Sequence, residues 1–142
     1  MLHIKVPATS ANMGPGFDCA GIALQLYNEI WVETIPSGIE ISSKTNENIP
    51  KDESNLIYST IRDFYEAENI PMPGIRLIQD DHIPMTRGLG SSAACIVGGL
   101  IAANILSGKN YSKDELAQKA AKLEGHPDNS NPAIFGDMII SA

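Results

Sequence analysis

The chain of 142 residues is short of cysteine, histidine and arginine, and each shortage narrows what it can be. Its two cysteines, Cys19 and Cys95, stand far apart in apolar surroundings and form no CxxC pair. They read as small buried side chains in a reducing compartment rather than as a disulfide. The histidines are His3, in a strand-like stretch, and His82 and His126, in loops. None has cysteine or histidine partners at zinc-site spacing, so no structural zinc is expected. Positive charge is also scarce: Lys plus Arg number 10 against 17 Asp plus Glu, for a net charge of -7. That balance argues against nucleic acid or an anionic membrane as partner. It leaves room for an anionic cofactor, because backbone amides bind phosphate without side-chain charge. No apolar run reaches membrane-spanning length, since the longest, 93–106, is interrupted by Gly98, Gly99 and Asn104. The opening residues alternate and then meet Pro7, as a strand does and a secretion signal does not. The cytoplasm is the expected location.

What is present suits one soluble domain: 43% of the residues are hydrophobic, enough for a core. Leu2 to Val6 is expected to be a strand ended by Pro7, and Ile22 to Ile35 a single long strand. Pro36-Ser37-Gly38 is a turn, with Ile39 to Ser43 as the returning partner. Asp52 or Ser54 caps a helix to about Glu68, with Ile57, Ile61, Phe64 and Tyr65 on one face. Ile75 to Gln79 is a short strand. An Ala/Ile/Val/Leu helix follows the Gly-Ser-rich turn and ends near Ser107-Gly108. Ser112 and Glu115 make a capping box for a last helix, with Leu116, Ala120 and Leu123 on one face and Gly125 as its stop. Residues 133–141 read as a strand broken at Gly136-Asp137. Strands and helices together indicate a mixed α/β layer.

Three segments have the composition of a site. Gly88-Leu89-Gly90-Ser91-Ser92 runs straight into a helix. Glycines allow a tight loop with inward N–H groups, and the helix adds free amides and the positive end of its dipole. This suits a phosphate chain, with a serine hydroxyl in reach of Mg²⁺; the same residues also suit a plain capped helix start. No lysine follows the glycines at Walker A spacing, and the Rossmann glycine pattern is missing. Glu124-Gly125-His126-Pro127-Asp128-Asn129 places two carboxylates around a turn, where they can hold Mg²⁺ or contact a hydroxyl, or simply form the turn. Around Asn12 and Asp18, Ser10-Ala11-Asn12-Met13-Gly14-Pro15-Gly16-Phe17-Asp18 is rich in small residues, as either a ligand loop or a structural loop would be. Trp31 and Tyr27 suit the packing face of a strand better than substrate stacking.

Together, these segments resemble the homoserine kinases, small-molecule kinases of the GHMP superfamily. Val6 to Asp18 resembles the opening motif of that family. Pro84-Met85-Thr86-Arg87-Gly88-Leu89-Gly90-Ser91-Ser92-Ala93-Ala94 resembles its phosphate loop, and Glu124 to Asn129 with Pro132-Ala133 its third segment. The resemblance spans nearly the whole chain. It implies an α+β fold like domain 2 of ribosomal protein S5, with residues 1–142 as the N-terminal, ATP-binding domain and the C-terminal domain absent. It also implies a left-handed βαβ crossover, against the general right-handed rule. The implied activity is ATP-dependent phosphorylation of the L-homoserine side-chain hydroxyl, in threonine biosynthesis. Residues 84–94 would wrap the ATP phosphates, and Ser92 (or Ser91) and Glu124 would hold Mg²⁺. Asn12, Asp18, His126 and Asp128 would hold homoserine, with Asp128 as a candidate base. Family members continue into a second domain that supplies substrate-binding arginines, and this chain has only Arg62, Arg76 and Arg87. Nucleotide recognition is therefore expected to outlast turnover. The alternative is a non-catalytic domain that at most binds nucleotide and pairs with a second copy as a homodimer. Ser130-Asn131 and Asp137 depart from the family pattern of small or apolar residues. A mevalonate-type kinase is disfavoured by the segment from Asn12 to Asp18.

Overall fold

Alternating apolar residues build one sheet, and an almost wholly apolar helix covers it. The computed structural model describes residues 1–10, 22–45, 47–83, 91–125, 133–134 and 138–141. The strands are β1 (Leu2–Ser10), β2 (Ile22–Ile35), β3 (Ile39–Ser43), β4 (Gly74–Asp80) and β5 (Ile139–Ser141); the helices are α1 (Leu56–Ala67), α2 (Ser91–Ser107) and α3 (Lys113–Glu124). The sheet order is β3-β4-β2-β1-β5. β3 and β4 run parallel across the α1 crossover, and the other neighbouring pairs are antiparallel.

Period-2 alternation sorts the two faces of the sheet. Ile4, Val6, Ile30, Val32, Ile75 and Leu77 are buried toward the helices. His3, Glu29, Trp31, Glu33 and Arg76 alternate with them and take the outer face, where they are half-buried. On that outer face His3 stacks on Trp31 at 4.5 Å, and Lys44 Nζ sits 3.9 Å from the indole centroid. α2 is apolar on every side and buried on nearly every side, as a central helix must be. Its adjacent glycines serve different neighbours. A Cβ on Gly98 would meet Ile30 of the sheet at 3.2 Å, and one on Gly99 would meet Thr60 of α1 at 2.8 Å.

Several expectations change in three dimensions. Pro7 does not end β1, which continues to Ser10. Proline is tolerated because the ladder shifts register between Pro7 and Thr9, and because β5 reaches only residues 3–5 on the other side. β3 does not return along β2. β4 occupies that place, and β3 pairs with β4 instead. The turn at 36–38 packs so tightly on β4 that a Cβ at Gly74 would lie 2.5 Å from the Ser37 backbone.

The cap of α1 is Asn55, not Asp52 or Ser54. Its Oδ1 accepts from the amides of Ile57 and Tyr58, while Asp52 accepts from Ser54 in a turn just upstream. The capping box of α3 forms as expected, and Gly125 closes that helix at φ 84. Leu123 leaves the expected apolar face and is exposed, whereas Leu116 and Ala120 are buried. The last strand is short. Ala133 and Ile134 are helical and buried, and only Ile139–Ser141 pair with β1.

Candidate active site

β1 and β4 both run toward the end of the sheet at which β2 begins. β1 finishes at Ser10 opposite Ile22, so the connection 11–21 leaves there. β4 lies antiparallel to β2, with its last residue Asp80 opposite Glu29, so it runs toward that same end. Segment 84–90 then connects β4 to α2, which begins at Ser91.

Asn28 holds the start of that connection. It lies on the buried face of β2 at 5% exposure. Its Oδ1 accepts hydrogen bonds from the amides of His82, at 2.7 Å, and Ile83, at 2.9 Å. Sequence reasoning passed over this residue. The signal was there: a polar side chain in register with Ile30 and Val32 has to find buried partners.

Ser91 is half-buried, Ser92 is exposed, and Ala93 and Ala94 are buried beneath them. No acidic side chain lies in the first turn of α2. α3 is the opposite case: Asp114 and Glu115 stand in its first turn and Ser112 caps it. The positive end of α2 is thus left uncompensated by its own residues, the condition under which a helix start accepts an anion. Cys95 lies one turn further in and is half-buried. Burial, reinforced by the nearby Asp81 carboxylate, pushes its thiol up to about 12. Burial also raises Asp81 itself, although Gln79 donates to its carboxylate at 3.2 Å.

The third segment begins at Glu124, the last residue of α3 and half-buried there. α3 packs on α2 through a tight connection in which Asn104 bonds both the N–H and the C=O of Tyr111, at 2.7 and 3.1 Å. Asn12, Asp18, residues 84–90, His126 and Asp128 lie outside the described residues.

The comparisons decide the family. Residues 55–137 match the family described as GHMP kinases N terminal domain. The chain belongs to that family. A homoserine kinase from Caldicellulosiruptor saccharolyticus is 49% identical over 142 residues, covering 99% of this chain and 46% of that relative. The chain thus spans about half the length of the curated relatives it matches. The crystal structure of homoserine kinase from Cytophaga hutchinsonii superposes with a TM-score of 0.81 at 30% identity, over 98% of this chain and 47% of that one. The Methanococcus jannaschii mevalonate kinase shares the fold at TM-score 0.75 and 17% identity, over 99% and 53% of the two chains. The α+β GHMP fold expected from the motifs is therefore the fold found. Among the described residues no helix is long and apolar enough to cross a membrane.

Proposed function

We propose that the protein is the nucleotide-binding part of a homoserine kinase, which transfers the γ-phosphoryl group of ATP to the side-chain hydroxyl of L-homoserine. The observation that carries this reading is the start of α2. A helix whose first turn has two serines and no acid directly follows Gly88-Leu89-Gly90. Pro84, Met85, Thr86 and Arg87 lead into those glycines, and Ala93 and Ala94 seat the helix beneath the serines. Amides of 88–92 would bind the phosphates, and Ser92 with Glu124 would hold Mg²⁺. The ion supplies charge neutralisation for the transferring group when bound.

Asn12, Asp18, His126 and Asp128 would orient the amino acid. The homoserine hydroxyl oxygen attacks the γ-phosphorus as the bond to the β–γ bridging oxygen breaks, and its proton passes to Asp128 or to solvent. Positioning and charge neutralisation supply most of the rate. The nucleotide side of the reaction rests on residues of this chain, whereas substrate-binding arginines of the homoserine kinases belong to the other half.

Calorimetric titration with MgATP, followed by L-homoserine, tests the proposal. Saturable one-site heat that disappears in Gly90→Val supports the phosphate loop, and a further response to L-homoserine supports the substrate assignment. A folded sample giving no MgATP heat refutes both.

A further inference from the structure

Outside that site, the outer face of the sheet gathers Glu29, Asp80 and His82, whose ligand atoms lie within 4.8 Å of one another. Glu29 and Asp80 are register partners across β2 and β4, and opposed carboxylates on adjacent strands repel unless a positive charge intervenes. Asp80 Oδ1 is shut off from solvent and, among the described residues, accepts no hydrogen bond. His82 Nε2 nevertheless lies 3.1 Å from it. The contact is at ion-pair distance, and 3.1 Å is also close to the spacing of neighbouring ligand atoms around one metal ion.

The surroundings hold the backbone of His82 and the side chain of Glu29 in position. His82 is fixed through its own amide by Asn28. Glu29 Oε1 pairs at 2.8 Å with His3 Nε2, and the His3 ring is stacked on Trp31. Carboxylates that ligate a metal are themselves held by hydrogen bonds from an outer layer, the place His3 takes here.

We propose that Glu29, Asp80 and His82 form a binding site for a divalent transition-metal ion of the zinc class, with His3 positioning Glu29. Two carboxylates and one imidazole are a mixed oxygen–nitrogen set. Such a set favours zinc-like ions over magnesium and calcium, which take oxygen. Bonds of about 2.0–2.1 Å place tetrahedral ligands about 3.3 Å apart, so small side-chain rotations close the site, and water completes the fourth position. The ligands come from two strands and the second residue after β4, with Glu29 51 positions before Asp80 and 53 before His82. No local spacing joins Glu29 to the other two, which is why the histidines looked unpartnered in the sequence.

The test is isothermal titration of the purified protein with ZnCl₂ in a weakly chelating buffer, with circular dichroism to show that each variant is folded. One equivalent is expected to bind at this site, uncompeted by a hundredfold excess of MgCl₂. Glu29→Gln and His82→Gln should each weaken binding by at least about tenfold, as should the outer-layer change His3→Gln. Cobalt in place of zinc should give visible bands that vanish in His82→Gln. Absence of saturable zinc binding, or wild-type affinity in either Glu29→Gln or His82→Gln, would overturn the proposal.

Discussion

Asn28 shows how much one side chain can decide in this domain. Its carboxamide oxygen is the shared acceptor for two consecutive amides at the entrance to segment 84–90. Removing it strands the buried amide of Ile83, at a cost of about 1–3 kcal/mol for a buried unsatisfied group, and leaves the part-buried amide of His82 to solvent. Asn28→Ala should therefore lower stability by that order and weaken MgATP binding beyond what the unfolded fraction explains. Asn28→Asp keeps the acceptor and should recover most of the affinity. Urea denaturation alongside nucleotide titration separates the two effects. Equal MgATP affinity in all three proteins would show that the entrance need not be held. Asn55 does comparable work at the start of α1, where it caps the helix and donates to Gln79 Oε1 at 2.6 Å. In both cases the strand or helix period exposes the residue as polar among apolar neighbours. The partner is invisible in sequence because it lies 24 to 55 positions away.

Helix α2 is the element on which the rest depends. It lies against the sheet through Gly98 and against α1 through Gly99. Gly99→Ala would drive a methyl group into Thr60 Cβ at 2.8 Å and the Ile57 carbonyl at 3.0 Å, part of the backbone of α1. Overpacking of this kind costs about 1–3 kcal/mol, more than the helix propensity gained, about 0.8–1 kcal/mol. The variant should unfold at lower denaturant than wild type, whereas Gly108→Asn, at a left-handed position in open space, should be nearly neutral. A stabilised Gly99→Ala would mean that α1 and α2 can slide apart without loss. The boundaries of α2 and α3 were legible because serine and glycine punctuate them. The pairing of β3 was not, since a three-residue turn suits a hairpin and nothing local says that β4 intervenes.

Across the molecule, Glu68 ties the helices together. It ends α1, accepts from the Tyr111 hydroxyl ahead of α3, and lies 3.6 Å from Lys109 and 3.5 Å from Lys119. The tyrosine bond, aided by the lysines, holds its carboxyl below the ordinary glutamate range. A depressed folded-state value adds stability that is present above the unfolded value, about 4.3, and is lost as pH falls through the folded one. The stability gap between wild type and Tyr111→Phe should therefore be constant from about pH 6 to 8 and narrow below about pH 4. Chemical denaturation across that range reads it, and a gap that widens on acidification would contradict the assignment. The raised carboxyl of Asp81 works in the opposite sense, favouring the fold at low pH and losing that contribution as pH rises through its folded value.

By itself the sequence determined the elements and the family. Period-2 and period-3.6 apolar patterns, helix caps and glycine stops are local signals, and the glycine-serine and opening motifs are contiguous strings, so each is complete within a short window of chain. Tertiary structure alone decided that β4 lies between β2 and β3, that Asn28 reaches the entrance of segment 84–90, and that Glu29, Asp80 and His82 share a face. These depend on register and on which strands become neighbours. That choice is made by burying the apolar faces of the sheet and helices together, and no single segment carries it.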